Sequence, residues 1–339
     1  MINTIRIKGL KCFDDETLHL KNFNILAGKN SVGKSTVIQA ILAAAQCNGN
    51  YRPFSGKYID LGTVRDLKNK LVGSEEIVIN MNDCYQMTVV SDSNYEYNGD
   101  FFTTEHSIRY IAADRVGVKE TYQKNISDEN QIGINCEYAF DYLAKHGQDN
   151  WENNELVYDF NEKLTFGGQV DYWLDKILGY TVRAEEIERT SLIRVSYGQR
   201  EIGNDLSPKN VGTGVSYIAE IIIAALSCKE GDLLIVENPE IHLHPAGQTE
   251  FVTFLAFLAQ KGIQIILETH SDHIYNGVRK CVHKDYVDNE NVAIYFFDRK
   301  KNGCSDPIQI QLDDEGKVIN PKDGLFDQTK KDLDVILGW

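Results

Sequence analysis

Apolar and polar positions alternate from the first residues. Ile5 and Ile7 fall on one face of a predicted strand, and a second strand, Thr17 to Leu20, follows Cys12–Phe13. A third run, Phe23 to Ala27, enters a glycine-rich turn, and behind it Val37, Ile38, Ala40, Ile41, Leu42 and Ala44 repeat at helical spacing. The order here is therefore strand, glycine-rich loop, helix. Two more strands are expected between Glu76 and Val90, meeting near Asn82-Asp83, and another from Ser107 to Ala112 leads into Ala113-Asp114-Arg115. Further on come a strand at Ile193 to Tyr197, a long helix after Gly214 and a helix from Ala246 to Lys261. Leu233 to Val236 and Gln264 to Leu267 lack alternation, as strands covered on both faces do. A hairpin is predicted from Ala293 to Phe297 and Ile308 to Leu312 around Asn302-Gly303.

One stretch has a different character. Between Asp128 and Glu162 there are nine acidic residues and one lysine, Lys145. Tyr138, Phe140, Tyr142, Leu143 and Trp151 provide enough apolar surface to fold it, so an acidic, mostly helical insertion is expected. The bland reading of its charges is a solvated outer face. Neither an internal repeat nor a heptad run long enough for a coiled-coil arm is present.

Composition narrows the class. The chain of 339 residues is 42% hydrophobic and 25% charged, as for a soluble globular protein. No apolar run approaches the ~20 residues of a membrane span; the richest, Tyr217 to Leu226, is interrupted by Glu220. The N-terminus lacks the apolar core of a signal peptide, and seven scattered cysteines form no CxxC pair, so a reducing cytoplasm is the simplest location. The formal net charge of −15 argues against a broad duplex-binding face, though a local basic patch is compatible with it.

Four segments carry chemistry. Gly28-Lys29-Asn30-Ser31-Val32-Gly33-Lys34-Ser35 fits GxxxxGK[ST] in full. Its glycines permit a turn that aims backbone N–H groups at phosphate, Lys34 reaches the terminal phosphates, and the Ser35 hydroxyl ligates Mg²⁺. Leu233 to Val236 ends in Glu237-Asn238-Pro239-Glu240, an apolar strand closed by acids as in a Walker B segment. The third segment is Ile241-His242-Leu243-His244-Pro245 together with Leu267-Glu268-Thr269-His270-Ser271-Asp272-His273. Paired histidines beside acids also suit a transition-metal site or ordinary structural roles. The fourth, Asn210 to Ser216, places Gly212 and Gly214 before the long helix, where a helix N-terminus meets anions.

These strings resemble the ABC-type ATPases of the RecF, OLD and SMC class. The resemblance covers the N-terminal third and residues from about Asn210 to His273; no motif covers Arg115 to Ile193. Ile319 to Gln328 also resembles a small C-terminal domain of unknown function attached to some of these ATPases. It implies an α/β P-loop fold of ABC-head type, with a β-rich N-terminal lobe, a parallel-sheet lobe and a helical insertion. The expected segments are 1–115 with the P-loop, 116–192 as the insertion, 193–290 with the later motifs, and 291–339 as an extension. It implies ATP and Mg²⁺ as ligands, with Gly28, Asn30, Ser31, Gly33, Lys34, Ser35 and Thr36 on the nucleotide and Ser35 and Glu237 on the metal. His270 takes the γ-phosphate position, and Gly212 and Gly214 act on the nucleotide of a second subunit in a head-to-tail homodimer. Where the family usually carries Asp then Glu, this chain has Glu237 then Asn238; Asn cannot accept a proton, so Glu240 is the expected base beside Asn238. The chain has neither the SMC coiled coil nor the acidic cluster of a Toprim nuclease. The resemblance thus favours an ATPase that controls a separately encoded effector, as in anti-phage modules, over a RecF-like DNA-maintenance ATPase or a low-turnover ATP-binding regulator.

Overall fold

The computed structural model describes residues 1–48, 51–100, 107–127, 132–152, 154–159, 163–199 and 203–337. They form two compact units, Met1–Thr103 with Glu268–Trp339, and Thr104–Leu267.

The first unit opens with β1 (Thr4–Lys8), β2 (Asp15–His19) and β3 (Phe23–Gly28), followed by α1 (Lys34–Asn48) and the short α2 (Val64–Leu67). Then come β4 (Ile77–Met81), β5 (Tyr85–Ser91) and β6 (Asn94–Asn98), which join β1 and β2 in an antiparallel sheet ordered β2-β1-β4-β5-β6. Ile7 pairs with Ile79 and Ile5 with Met81, and all four side chains are buried, so the alternation seen in the sequence becomes one apolar face. Asn82 and Asp83 turn β4 into β5 with φ of 52° and 54°, the left-handed pair a tight hairpin turn demands.

The second unit contains β7 (Ile108–Ile111), β8 (Thr121–Gln123), α3 (Ala139–His146), α4 (Phe166–Leu178), β9 (Thr181–Glu186), β10 (Leu192–Gln199) and β11 (Gly203–Leu206). It continues through α5 (Thr213–Leu226), β12 (Leu233–Glu237), α6 (Pro245–Gln260) and the start of β13 (Gln264–Thr269). β12 pairs in parallel with β7, and β10 pairs antiparallel with β8, β9 and β11. Trp173 of α4 is fully buried against Phe254 of α6, and α5 is buried along nearly its whole length.

The stretch expected to be a helical insertion is mixed. Residues 116–192 supply α3 and α4 but also β8 and β9. β9 lies beyond the acidic stretch and has a strand's alternation: Val182 is buried while Arg183 and Glu185 are exposed, and Glu185 pairs with Arg194 across the hairpin at 2.6 Å. Residues 128–131, 153 and 160–162 of the acidic segment lie outside the described residues.

The last two residues of β13, Glu268 and Thr269, return the chain to the first unit. There α7 (Asp272–His283), β14 (Val292–Arg299), β15 (Ser305–Ile310) and α8 (Gln328–Leu337) complete it. β14 runs parallel to β3 in register from Val292–Phe23 to Phe297–Gly28, and pairs antiparallel with β15. The hairpin expected to begin a separate extension is therefore built onto the strand that carries the P-loop. Among the described residues the longest helix is α6, 16 residues, too short for a coiled-coil arm.

Candidate functional site

In the first unit β3 is buried along Phe23–Ala27 and emerges at Gly28, where the loop begins. Gly28 has φ 138° and Gly33 φ 119°, backbone that L side chains rarely adopt. A Cβ on Gly28 would stand 2.5 Å from Phe297 O, and one on Gly33 would stand 2.7 Å from Ser305 Oγ and 2.8 Å from Phe13 Cε2. Both positions thus demand glycine twice over, by conformation and by space. The β14–β15 hairpin frames the loop: Ser305 Oγ donates to Val32 O at 2.6 Å, and Arg299 Nη2 donates to Ser31 O at 2.9 Å. Ser31 itself adopts φ 58° and is exposed, as are Lys29 and Asn30.

Lys34 is only 3% exposed, and its ammonium donates to Lys29 O at 2.6 Å and Gly28 O at 3.1 Å. A strongly hydrated cation is taken out of water and met by loop carbonyls, so it lies inside the concavity of the loop. Ser35, half-buried, donates from Oγ to Glu268 Oε1 at 2.8 Å. Thr36, the next residue of α1, is buried. His270 follows β13 and is exposed; Ser271 behind it caps α7, its Oγ accepting from His273 N and Ile274 N.

In the second unit β12 is buried from Leu233 to Val236 and delivers Glu237 half-buried at its end. Ala113 N donates to Glu237 Oε2 at 3.3 Å, and burial pushes the Glu237 carboxyl above its usual range. Asn238 has φ 44°, a conformation that asparagine tolerates better than other non-glycine residues. Its buried Oδ1 has no hydrogen-bond partner among the described residues. The turn after it is held from beneath by Arg115, 4% exposed, which donates from Nη1 to Glu237 O at 2.8 Å and to Ala112 O at 3.0 Å, and from Nη2 to Asn238 O at 3.0 Å. Burial lowers the Arg115 pKa. Arg115 also lies 5.5 Å from the centre of the Tyr217 ring.

Gly212 is the N-cap of α5, exposed, with open space around any added Cβ. Gly214 differs: a Cβ there would fall 2.4 Å from His242 O, so it permits the loop after β12 to approach α5. Tyr217, one turn further on, packs against the His242 ring at 5.1 Å. His244 caps α6, its Nδ1 accepting from Ala246 N at 3.3 Å. Both histidines of this loop therefore have structural partners within their own unit. Among the described residues no group of three or more His, Cys, Asp or Glu side chains converges as a metal site.

Two contributions were not legible in the sequence. Glu268 meets Ser35 through a contact spanning 233 positions of sequence. An acid closing the apolar strand Gln264–Leu267 is the same signal as the one carried by Glu237 after Leu233–Val236. Arg115, at the end of the polar segment Ala113-Asp114-Arg115, donates to carbonyls of the Glu237–Asn238 turn.

A family model described as "AAA domain, putative AbiEii toxin, Type IV TA system" matches residues 23–276, and one described as "Protein of unknown function (DUF3696)" matches residues 287–336. The chain is similar to the Old nuclease of Escherichia phage P2, 26% identical over 181 residues, 48% of this chain and 29% of that protein. It thus spans less than a third of that relative's length. Among solved structures it resembles an Smc head bound to the C-winged helix domain of ScpA, with TM-score 0.52, 12% identity, and coverage of 92% of this chain and 98% of the other. It also resembles the Pyrococcus furiosus Smc head domain with an extended coiled coil bound to the C-terminal domain of ScpA, with TM-score 0.51, 13% identity and 99% coverage of both. At these identities the likeness concerns the fold, an α/β head of SMC type.

Proposed function

The chain belongs to this AAA-domain family, an ATPase class related to the OLD and SMC proteins, and on that premise we propose that it binds and hydrolyses ATP as a switch for another protein. The observation that carries this reading is the loop of residues 28–35. Two glycines there have backbone angles and clearances that exclude a side chain, and a buried lysine points its charge inward. A loop of that shape offers backbone N–H groups and one cation to a polyphosphate.

The donors present suit Mg²⁺. Ser35 Oγ and the Glu237 carboxylate are hard oxygen donors, and Mg²⁺ typically takes only one or two protein oxygens and completes its shell with water and phosphate. Bound there, Mg²⁺ supplies charge neutralisation at the phosphates undergoing transfer. Gly28, Asn30, Ser31, Gly33, Lys34, Ser35 and Thr36 form the nucleotide cradle, Lys34 leaving its loop carbonyls for the phosphates. Glu240 serves as general base in place of Asn238, and His270 contacts the γ-phosphate. Asn238 cannot accept a proton, so without Glu240 hydrolysis would be slow.

Two copies associate head to tail around ATP, the exposed N-terminus of α5 at Gly212 facing the nucleotide of the other copy while Gly214 shapes the loop behind it. The output passes to a separately encoded effector in anti-phage defence. Among the described residues no group of three or more His, Cys, Asp or Glu side chains converges as a metal site, and no helix is long and apolar enough to cross a membrane. The net charge of −15 disfavours the RecF-like alternative.

Lys34→Ala tests the premise. Losing a desolvated charge on phosphate costs about 2–5 kcal/mol, so ATP affinity by calorimetry should fall ~30- to ~4,000-fold. Equal affinity in both proteins would remove the nucleotide cradle and everything built on it.

A further inference from the structure

β13 is buried at all six positions, so a carboxylate within it needs a reason. Glu268 is 4% exposed, and a buried carboxylate is costly unless hydrogen bonds or a cation meet it. One partner is the Ser35 hydroxyl, which donates to Glu268 Oε1 at 2.8 Å. Both residues belong to the same unit, and Ser35 lies next to Lys34 at the start of α1.

The chemistry of a serine hydroxyl makes this contact directional. It has one proton to donate and two lone pairs to offer. With the proton committed to Glu268, the hydroxyl no longer rotates freely, and its lone pairs point away from the carboxylate. A metal ion takes a hydroxyl through a lone pair, so the contact with Glu268 prepares Ser35 as a ligand. Hydrogen-bonded carboxylates behind a ligating group raise its basicity and hold its orientation. The same negative charge has a second effect. Lying behind Ser35, it repels the phosphates of a nucleotide that arrives without a divalent cation.

We propose that Glu268 is the positioning residue for the metal: it orients Ser35 toward Mg²⁺ and makes nucleotide binding conditional on that ion. The inference rests on reading residues 28–36 as the nucleotide cradle. It makes two predictions of opposite sign for Glu268→Gln. Affinity for Mn²⁺ in the presence of nucleotide should fall ~10–100-fold, the usual effect of removing a carboxylate behind a metal ligand. Affinity for nucleotide in EDTA should stay level or rise, because a negative charge has gone. A purely structural role would lower both together.

The test uses the full chain. Mn²⁺ binding is followed by electron paramagnetic resonance with a non-hydrolysable ATP analogue, and analogue binding in EDTA by calorimetry. Glu268→Gln is measured alone and in a Ser35→Ala background, where it should change Mn²⁺ affinity little because its route is already cut. Mn²⁺ affinity equal to the parent, or parallel losses with and without metal, overturns the proposal. If Glu268→Gln does not fold, Glu268→Asp keeps the charge but shortens the reach. It should weaken Mn²⁺ while leaving metal-free binding as weak as in the parent, and parental Mn²⁺ affinity in that variant refutes the role. A parent protein that binds no analogue under either condition sinks the cradle itself, a result distinct from a parent that binds and a variant that matches it.

Discussion

Replacing Gly212 with aspartate should leave the protein at least as stable and abolish its ATP-dependent dimer. Gly212 caps α5 with φ −60° and ψ 137°, angles open to any L residue, and its added Cβ would meet nothing within 4 Å. No side chain now caps this helix start. Aspartate is among the best N-cap residues, a few tenths of a kcal/mol better than glycine, and its charge at the positive end of the helix adds about 0.3–1 kcal/mol. The expected gain is therefore about 0.5–1 kcal/mol, a melting temperature raised by ~2 °C. If Gly212 faces the partner's nucleotide, the same carboxylate meets phosphate. At the ~4 Å of a direct contact, two unit charges in a surface-like environment repel by up to about 4 kcal/mol, enough to weaken the dimer by as much as ~10³-fold. Gly212→Ser separates the two effects, since it caps the helix without charge and should dimerise like the parent. Light scattering with and without ATP, beside thermal unfolding, reads both. An aspartate variant that dimerises with ATP as the parent does would show that Gly212 never meets the nucleotide.

Three further outcomes are expected. Glu240→Gln should cut single-turnover hydrolysis by ~10²–10⁴-fold with ATP binding nearly intact; the parental rate would remove Glu240 as the base. Asn238→Glu should raise turnover per folded molecule while costing about 1–2 kcal/mol, because residue 238 sits at φ 44° where a longer acid is strained; unchanged turnover counts against a site slowed by its missing base. Burial pushes Glu220 up to about 8 from its usual 4.5, so the folded chain keeps a proton that the unfolded chain releases in that window. This group's stabilisation is complete below pH ~4.5 and declines as pH rises through 8. Glu220→Gln should therefore gain on the parent by on the order of a few kcal/mol between pH 5 and pH 9 in urea midpoints, and parallel pH profiles for the two proteins would refute it.

The chemistry of the P-loop was legible in one dimension because its requirements are local. A strand, two glycines, a lysine and a helix start lie within a dozen residues, and the backbone angles they need are properties of residue type. The Glu237 strand, the hairpin turn at Asn82-Asp83 and the long helix after Gly214 were legible for the same reason. The mixed character of residues 116–192 was not, because strand pairing is decided by partners: β9 becomes a strand by meeting β10, and its charges read as helix surface without it. Other features depend on approaches between distant segments. Gly214 gained a requirement within its own unit, because His242 O lies 2.4 Å from where its Cβ would stand. Arg115 became a brace only once the turn after β12 lay within its reach. Glu268 acquired a role only when β13 and α1 brought it to Ser35, 233 positions away in the chain. Residue types and short spacings determined where the glycine-rich loop and the acid-ended strands lie; the tertiary structure decided which side chains are spent on holding the loops in place, because burial and hydrogen bonding depend on neighbours that sequence order does not supply.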